Sequence, residues 1–288
     1  MDSSAVIARH EAGGTRFEAA GVPGFALDQG DGVPVLCLHG VPVSSFVYRR
    51  VVPALVAQGL RGVAVDLPGL GLSGRPADFD YTFTGLGHWL TAAVDALGLD
   101  RFHLVVHDIG GPVGFELAAA MPERVRSLTV LNTVVAVEGF TKPWAMRPFG
   151  VGRLGEAWLA GMNPLVFRLL MRRMGIADAT SVPDEEIDAH LALLRRGDGG
   201  RAFLRIMRGF ETTAAKQELY AGVLGHPRPV QVVWGERDPA LRIDVQGEAA
   251  RRAAGVPEIH RLPGKHFLQE DQFEAIADLV ADLVRTSG

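Results

Sequence analysis

The chain has 288 residues, of which 48% are hydrophobic and 22% are charged, and its formal net charge is −4. A chain of this length can bury one large core, with room for a modest inserted segment. No basic run is long enough for a nucleic-acid patch and no apolar run approaches the roughly 18 residues of a membrane span, so we expect neither partner. The N-terminal residues lack the basic and apolar segments of a signal peptide, and one cysteine, Cys37, leaves no intramolecular disulfide. We therefore expect a cytoplasmic protein.

The first 138 residues alternate between predicted strands and predicted helices. The first two strands have the pattern of a paired sheet edge, and the later ones are continuous apolar runs, which are typical of buried parallel strands. The predicted strands are Thr15–Ala20, Gly24–Asp28, Val33–His39, Gly62–Asp66, Phe102–His107 and Ser127–Asn132. The predicted helices are Ser44–Gln58, Thr84–Leu97 and Pro112–Ala120.

The alternation stops at about residue 139 and resumes after residue 221. The interval contains only helical patterns, at Leu154–Ala160, Pro164–Met174, Pro183–Arg195 and Ala202–Tyr220. After it come strands at Val230–Gly235 and Ile259–Leu262 and helices at Val245–Ala254 and Asp271–Arg285. This order predicts an α/β protein with a mostly parallel, doubly wound sheet. The core domain is predicted at 1–138 and 222–288, and a helical cap domain at 139–221.

The strongest chemical signal is the sequence Val106-His107-Asp108-Ile109-Gly110-Gly111, between a predicted strand and a predicted helix. This is the context of a nucleophile elbow, whose usual pattern is G-x-S-x-G. Asp108 replaces the serine, both following glycines remain, and Val106 stands in place of the leading glycine. The alternative is that Asp108 is only a helix N-cap, because carboxylates accept hydrogen bonds from the first N–H groups of a helix.

Two further residues complete a candidate catalytic triad. Asp238 follows the strand that ends at Gly235, and His266 follows the last predicted strand. Open α/β sheets place their sites at the carboxyl ends of strands, and the chain order nucleophile, acid, histidine is that of α/β-hydrolases. A lone histidine after a strand is more often structural, but the three residues together in this order favour catalysis.

An oxyanion site is predicted beside the nucleophile. The loop His39-Gly40-Val41-Pro42 follows a buried strand, and we expect backbone N–H groups of Val41 and of Ile109 to face the reacting centre. The simpler interpretation of the loop is a turn closed by glycine and proline. No cofactor or metal ion is expected.

The carboxylate suggests the type of reaction. A serine that displaced a leaving group at a saturated carbon would form an ether, which does not hydrolyse under mild conditions. A carboxylate forms an alkyl ester instead, and activated water can cleave that ester. The residue type at position 108 therefore favours displacement in halides or epoxides, with His266 as general base for water and Asp238 orienting the imidazole ring.

Four segments resemble those of haloalkane dehalogenases and, slightly less closely, of epoxide hydrolases. They are HGVPVSSFVYRR, DLPGLGLSGRP, LVVHDIGGPVG and LPGKHFLQED. The resemblance covers the predicted core domain and implies the α/β-hydrolase fold, with Asp108, Asp238 and His266 as nucleophile, acid and base. Asn132 also matches a position where one dehalogenase subgroup has asparagine, although it could simply be a turn residue that closes a strand.

The sequence departs from the dehalogenase pattern at the halide site. The family usually has tryptophan after the nucleophile and Asn or Glu after the His-Gly pair, and here these residues are Ile109 and Val41. Neither side chain can donate a hydrogen bond. The resemblance implies that Trp158 is the remaining halide donor, with Trp144 as a weaker candidate. The alternative for Trp158 is an indole that packs in the core of the cap.

The substrate is expected to be a small apolar molecule that reacts with water between cap and core. The expected lining residues are Phe140, Trp144, Phe149, Trp158, Phe167 and Met171. Epoxide hydrolysis stays open. Epoxide hydrolases use two cap tyrosines, and this cap holds only one, Tyr220; Tyr48, close in sequence to the oxyanion loop, keeps the alternative possible. A lyase with Asp108 as a base, another hydrolase activity, and a small-ligand receptor also stay open. Either a monomer or a homodimer is compatible with the sequence.

Overall fold

A computed structural model describes residues 2–178 and 180–287 of the chain. Its strands are β1 (Thr15–Ala19), β2 (Val22–Gln29), β3 (Val33–Leu38), β4 (Leu60–Val65), β5 (Phe102–Asp108), β6 (Val125–Thr133), β7 (Val230–Gly235) and β8 (His260–Leu262). Its helices are α1 (Ser3–Ala12), α2 (Val51–Ala57), α3 (Phe83–Ala96), α4 (Gly110–Ala120), α5 (Gly152–Gly161), α6 (Pro164–Leu170), α7 (Asp184–Arg195), α8 (Arg201–Arg208), α9 (Ala214–Leu224), α10 (Glu248–Ala254) and α11 (Phe273–Thr286).

The strands form one sheet in the order β1-β2-β4-β3-β5-β6-β7-β8. The contacts of β1 with β2 and of β2 with β4 are antiparallel, and the remaining contacts are parallel. The central strands β3, β4, β5 and β6 consist largely of buried aliphatic residues, as expected where helices cover both faces of a sheet. This is the α/β-hydrolase fold that the sequence predicts. The carboxyl ends of β5, β6 and β7 meet at one edge, which holds the candidate site.

Helices α5 to α9 follow one another between β6 and β7, and the described residues of this interval contain no strand. Residues from these helices and from the sheet edge line a common cavity. The division into a core at 1–138 and 222–288 and a cap at 139–221 stays a prediction. In the described ranges, no helix is long and apolar enough to cross a membrane.

Two predicted helices are each divided in the structure. The segment Ser44–Gln58 forms a short 3₁₀ turn at Ser45–Tyr48 and then α2. A continuous helix was a wrong prediction because Pro53 lacks an N–H and its ring would clash with the carbonyl four residues earlier, so proline fits only in a first turn. The segment Ala202–Tyr220 likewise forms α8 and α9, and Thr213 caps the second helix through a hydrogen bond from the N–H of Lys216.

Helix α1 was not predicted from the sequence. It packs against α7, and His10 near its end forms a 3.0 Å hydrogen bond with Ser45. The helix has only two large apolar side chains, the adjacent Val6 and Ile7, and it buries only Val6 and His10. Its sequence therefore lacks the periodic apolar stripe by which surface helices are recognised.

Candidate active site

Asp108 is the last residue of β5 and adopts a left-handed backbone conformation, with φ of 51°. Non-glycine residues rarely adopt this conformation, and it turns the chain sharply from the strand into α4. The two glycines of the motif permit the turn. A Cβ atom at Gly110 would lie 2.6 Å from the backbone oxygen of Leu38, and one at Gly111 would lie 1.9 Å from Oγ1 of Thr133. The sequence thus forms a nucleophile elbow with aspartate at its tip.

The departure at Val106 is accommodated by the next helix. A Cβ atom at Gly114 would lie 2.6 Å from Cγ1 of Val106, so a glycine in α4 makes room for the side chain that replaces the leading glycine of the motif. Gly40 has a similar role beside Asp108, since a Cβ atom there would lie 2.2 Å from Cβ of Asp108. The close approach at Gly40 allows the loop at 39–42 to pack directly against Asp108.

The carboxylate of Asp108 faces the cavity and is held by two neighbours. Its Oδ1 accepts a 2.8 Å hydrogen bond from the backbone N–H of Val41, and its Oδ2 lies 3.6 Å from Nε2 of His266. The N-cap position of α4 belongs to Ile109, so Asp108 is not simply a capping residue. Burial acts to raise the pKa of Asp108, but the hydrogen bond and charge of His266 and the N–H of Val41 lower it on balance. The side chain is therefore an ionised carboxylate at neutral pH.

His266 joins the two carboxylates. Its Nδ1 lies 2.9 Å from Oδ2 of Asp238, on the side of the ring opposite to the atom that faces Asp108. The other oxygen of Asp238 accepts hydrogen bonds from the backbone N–H groups of Ala240, at 2.7 Å, and Leu241, at 3.0 Å. The side chain of Asp238 is fully buried, so these bonds replace its hydration. The three predicted triad residues therefore meet at the sheet edge.

Burial acts to lower the pKa of His266, but Asp238 and Asp108 together raise it to about 10. In the resting protein the imidazole is therefore protonated and paired with Asp108. A change that removed the charge of Asp108 would remove one of the two causes of this increase, and the pKa of His266 would fall. The basicity of His266 thus depends on the charge of Asp108.

Asn132 contacts Asp238 and does not line the cavity. It is fully buried at the end of β6; its Nδ2 donates a 2.6 Å hydrogen bond to Oδ2 of Asp238, and its Oδ1 accepts one of 3.0 Å from the N–H of Gly235. The prediction that Asn132 contributes to a substrate or halide site is corrected here. Its backbone φ of 22° is unusual for a non-glycine residue. In that position the amide bonds to Asp238, to Gly235 and, at 3.4 Å, to the backbone oxygen of Lys265.

The cavity above Asp108 is lined almost entirely by apolar side chains. Of the predicted lining residues, Phe140, Phe149, Phe167 and Met171 lie on it, as do Val41 and Ile109. The remaining lining residues near the cap include Phe83, Pro143, Met146, Leu159, Met162, Met207 and Phe210. An apolar group of a ligand would bury favourably in this space.

Neither predicted tryptophan lies on the cavity. The residue Trp144 is 60% exposed and Trp158 is 36% exposed, and neither is among the lining residues. The interpretation of Trp158 as halide donor is therefore corrected. Leu159, the next residue of α5, lines the cavity, and consecutive helical residues point about 100° apart, so Trp158 is turned aside.

No tyrosine of the described residues lines the cavity either. The hydroxyl group of Tyr48 donates to the backbone oxygen of Leu38, and that of Tyr81 to the backbone oxygen of Pro76. The hydroxyl of Tyr220 donates to Glu116. The tyrosine pair of an epoxide hydrolase is therefore not present around this site.

Sequence reasoning missed two polar residues of the cavity, Lys142 and Thr212. Thr212 lies in the break between α8 and α9, and the prediction of a continuous helix concealed it. Lys142 lies in an irregular segment after β6, where no periodic pattern identifies the inward-facing residues. The sequence did offer one indication that Lys142 faces the cavity. It is a single charged residue between Phe140 and Pro143, which are apolar. The described residues contain no cluster of His, Cys, Asp and Glu that could hold a metal ion.

An elbow nucleophile, a histidine and an acid at three strand ends are the defining site of an α/β-hydrolase. A family model for the alpha/beta hydrolase fold matches residues 33–155. A haloalkane dehalogenase of Mesorhizobium japonicum is 30% identical over 275 residues, which cover 87% of this chain and 84% of the relative. The chain therefore belongs to the haloalkane dehalogenase-like branch of the α/β-hydrolase superfamily, and it is a hydrolase.

Solved structures agree with this assignment. A haloalkane dehalogenase from Bradyrhizobium elkani has a TM-score of 0.76 and 25% identity, and the match covers 95% of this chain and 99% of that one. An epoxide hydrolase from Vigna radiata also has a TM-score of 0.76, with 22% identity and coverage of 95% and 97%. The second match shows the fold alone, so the overall shape does not distinguish the two activities.

Proposed function

We propose that the protein hydrolyses the carbon–halogen bond of a haloalkane through an ester of Asp108. The observation that carries the proposal is an ionised carboxylate at the elbow, with His266 and Asp238 behind it and an apolar cavity in front. The haloalkane dehalogenases among its relatives support the same chemistry.

In the first step, one oxygen of Asp108 attacks the carbon that bears the halogen. The C–O bond of an alkyl ester forms, the C–X bond breaks, and the halide leaves with the bonding electron pair. The N–H of Val41 holds the carboxylate in position, since it donates to Oδ1. The low pKa of Asp108 keeps the nucleophile ionised.

In the second step, water attacks the carbonyl carbon of the ester and His266 takes the proton. The ester is neutral, so Asp108 no longer raises the pKa of His266 and the imidazolium releases its proton to solvent. The neutral ring then acts as the base, and the proton that it takes from water restores the imidazolium of the resting state. Asp238 stabilises the imidazolium ion that forms. Cleavage of the ester releases the alcohol and restores the carboxylate, and the sum is R–X + H₂O → R–OH + H⁺ + X⁻.

The leaving halide finds few donors in this cavity. Trp158 and Trp144 are outside it, and the side chains of Val41 and Ile109 cannot donate. A buried anion without hydrogen bonds is costly, so weakly hydrated leaving groups are favoured. We therefore expect bromides and iodides to react faster than chlorides.

The test is incubation with 1-bromohexane and with 1,2-epoxyhexane, followed by measurement of bromide and of the alcohol products. We expect bromide and hexanol in equal amounts, and a loss of roughly 10⁴-fold or more in turnover in Asp108→Ala, since removal of a triad nucleophile has effects of this size. Consumption of the epoxide alone would contradict the proposal in favour of an epoxide hydrolase. Stoichiometric binding without turnover of either compound would indicate a receptor.

A further inference from the structure

One cationic side chain on the cavity has no carboxylate partner. Lys142 lies in the segment between β6 and α5, and its Nζ is 4.0 Å from the centroid of the Phe210 ring; both residues line the cavity. Within residues 2–178 and 180–287, no carboxylate lies within ion-pair distance of this ammonium. Lys216, by contrast, lies 2.6 Å from Glu116.

The environment of Lys142 makes an unpaired charge costly. The side chain is half-buried among apolar residues, and burial lowers its pKa. The face of the Phe210 ring attracts the ammonium, which offsets part of its lost hydration. An anion that entered the cavity would supply the missing charge partner, because ion pairs are strongest where water is excluded.

The charged groups around the cavity are unevenly paired. His266 lies between two carboxylates, with Asp238 at 2.9 Å and Asp108 at 3.6 Å. Lys142 is the other cationic residue among the described lining residues, and it contacts no carboxylate. Its ammonium therefore favours an anionic end group of a ligand over a neutral end group of the same shape.

The unpaired charge does not contact the reacting carboxylate. Lys142 lies beside the Phe210 ring and approaches Gly150, where a Cβ atom would lie 4.0 Å from its Cδ and Cε. Asp108 instead contacts Val41 and His266. An anionic group that met Lys142 would therefore be at a part of the substrate other than the carbon that bears the halogen.

We propose that Lys142 is the counter-ion for a substrate carboxylate, so that the preferred substrates are haloalkanoates with the halogen at the opposite end of an apolar chain. The identity of the reaction rests on the proposed function, whereas the binding of the carboxylate does not. Lys142 is in this account a specificity-determining residue that contacts the substrate and takes no part in bond making.

The binding test uses octanoate and octanamide, which differ only in the charge of the end group. Calorimetry at neutral pH should give a dissociation constant for octanoate that is roughly 10- to 100-fold lower than that for octanamide, as expected for a charged hydrogen bond. Lys142→Met should abolish the difference, and Lys142→Arg should retain part of it. Arg153→Met is the matched control, since it removes one positive charge from the exposed surface of α5. Equal binding by the unmodified protein, or a preference that persists in Lys142→Met, would overturn the proposal.

The kinetic test compares 8-bromooctanoate with 8-bromooctanamide. Lys142→Met should lower kcat/KM for the carboxylate roughly 10- to 100-fold more than for the amide, mainly through KM. Equal losses on both substrates would show that Lys142 assists the leaving group or the fold, and would overturn the proposal. If neither bromide reacts but octanoate binding still depends on Lys142, the proposed function fails and the anion site stands.

Discussion

The two walls of the cavity differ in how their residues are held. The core wall holds Asp108, which ends β5, and His266, which follows β8. Asp108 is fixed by a hydrogen bond from Val41, and His266 by one to the buried Asp238. On the cap wall, the residues come from short helices and irregular segments, and nearly all are apolar. The core wall therefore determines the chemistry, and the cap wall determines which molecules reach it.

The same contrast explains where this chain departs from its relatives. The elbow accepts Val106 because Gly114 makes room for it, so the backbone geometry of the nucleophile is retained. The halide donors are not retained, since Ile109 and Val41 offer only backbone N–H groups. The elbow geometry is thus present without the side chains that the family pattern places at the halide site.

The largest effect on the core wall is expected from Asp238→Asn. Both oxygens of Asp238 accept hydrogen bonds, one from two backbone N–H groups and the other from Asn132 and His266. In either orientation the new NH₂ group would face donors, and His266 would lose its orienting acceptor. We expect hydrolysis of the ester to fall by roughly 10³- to 10⁴-fold. Single-turnover kinetics should show that ester formation is much less affected; equal losses in both steps would contradict the division of roles.

The second prediction concerns the pH dependence of stability. The pKa of His266 is raised from 6.5 to about 10 in the folded protein, so the folded state binds the proton more tightly. The tighter binding of this proton adds to the free energy of unfolding. The added stability is fully present below pH 6.5 and is lost as the pH rises towards 10. Between pH 6.5 and 8.5 the free energy should fall with a slope of up to about 1.4 kcal/mol per pH unit. Urea unfolding should show this slope, and His266→Phe should flatten it. An identical slope in the variant would contradict the pairing of His266 with Asp108 and Asp238.

A smaller effect is expected from Asn132→Ala. The change removes a donor to the buried carboxylate of Asp238 and leaves the N–H of Gly235 without its acceptor. We expect turnover to fall by roughly 10- to 100-fold, since a hydrogen bond to a charged group is lost. The Michaelis constant should change little because Asn132 does not line the cavity. A large increase in KM with unchanged kcat would instead support the halide role that the sequence suggested.

The smallest effect is expected from Trp158→Phe on the cap. The ring is partly exposed and lies off the cavity, so turnover should stay within about twofold of the original. Leu159→Ala is the matched comparison, since Leu159 is the next residue, is buried and lines the cavity. It should raise KM for apolar substrates. A loss of bromide release in Trp158→Phe would place the halide at that indole after all.

The core wall could be predicted from the sequence and most of the cap wall could not, for a physical reason. A buried strand followed by Asp108 and two glycines has few possible structures, because apolar runs, sharp turns and strand ends are local properties. The position of Trp158 depends on how α5 rotates against its neighbours, which one helix's sequence does not determine. The end of α8 at Gly209 was also missed. A Cβ atom there would lie 2.7 Å from the backbone oxygen of Tyr81, and this tertiary contact cannot be identified from the local sequence. The residues that follow include Phe210 and Thr212, which line the cavity.

The central claim is that Asp108 becomes covalently bound to the substrate. His266→Phe removes the base that hydrolysis of the ester needs and keeps the nucleophile, so the two half-reactions separate. With 1-bromohexane, mass spectrometry should show one added hexyl group on the peptide that carries Asp108, and one bromide released per protein molecule. Asp108→Ala should show neither. If His266→Phe stays unmodified by a bromide that the original protein consumes, the carboxylate is not the nucleophile and the account is contradicted.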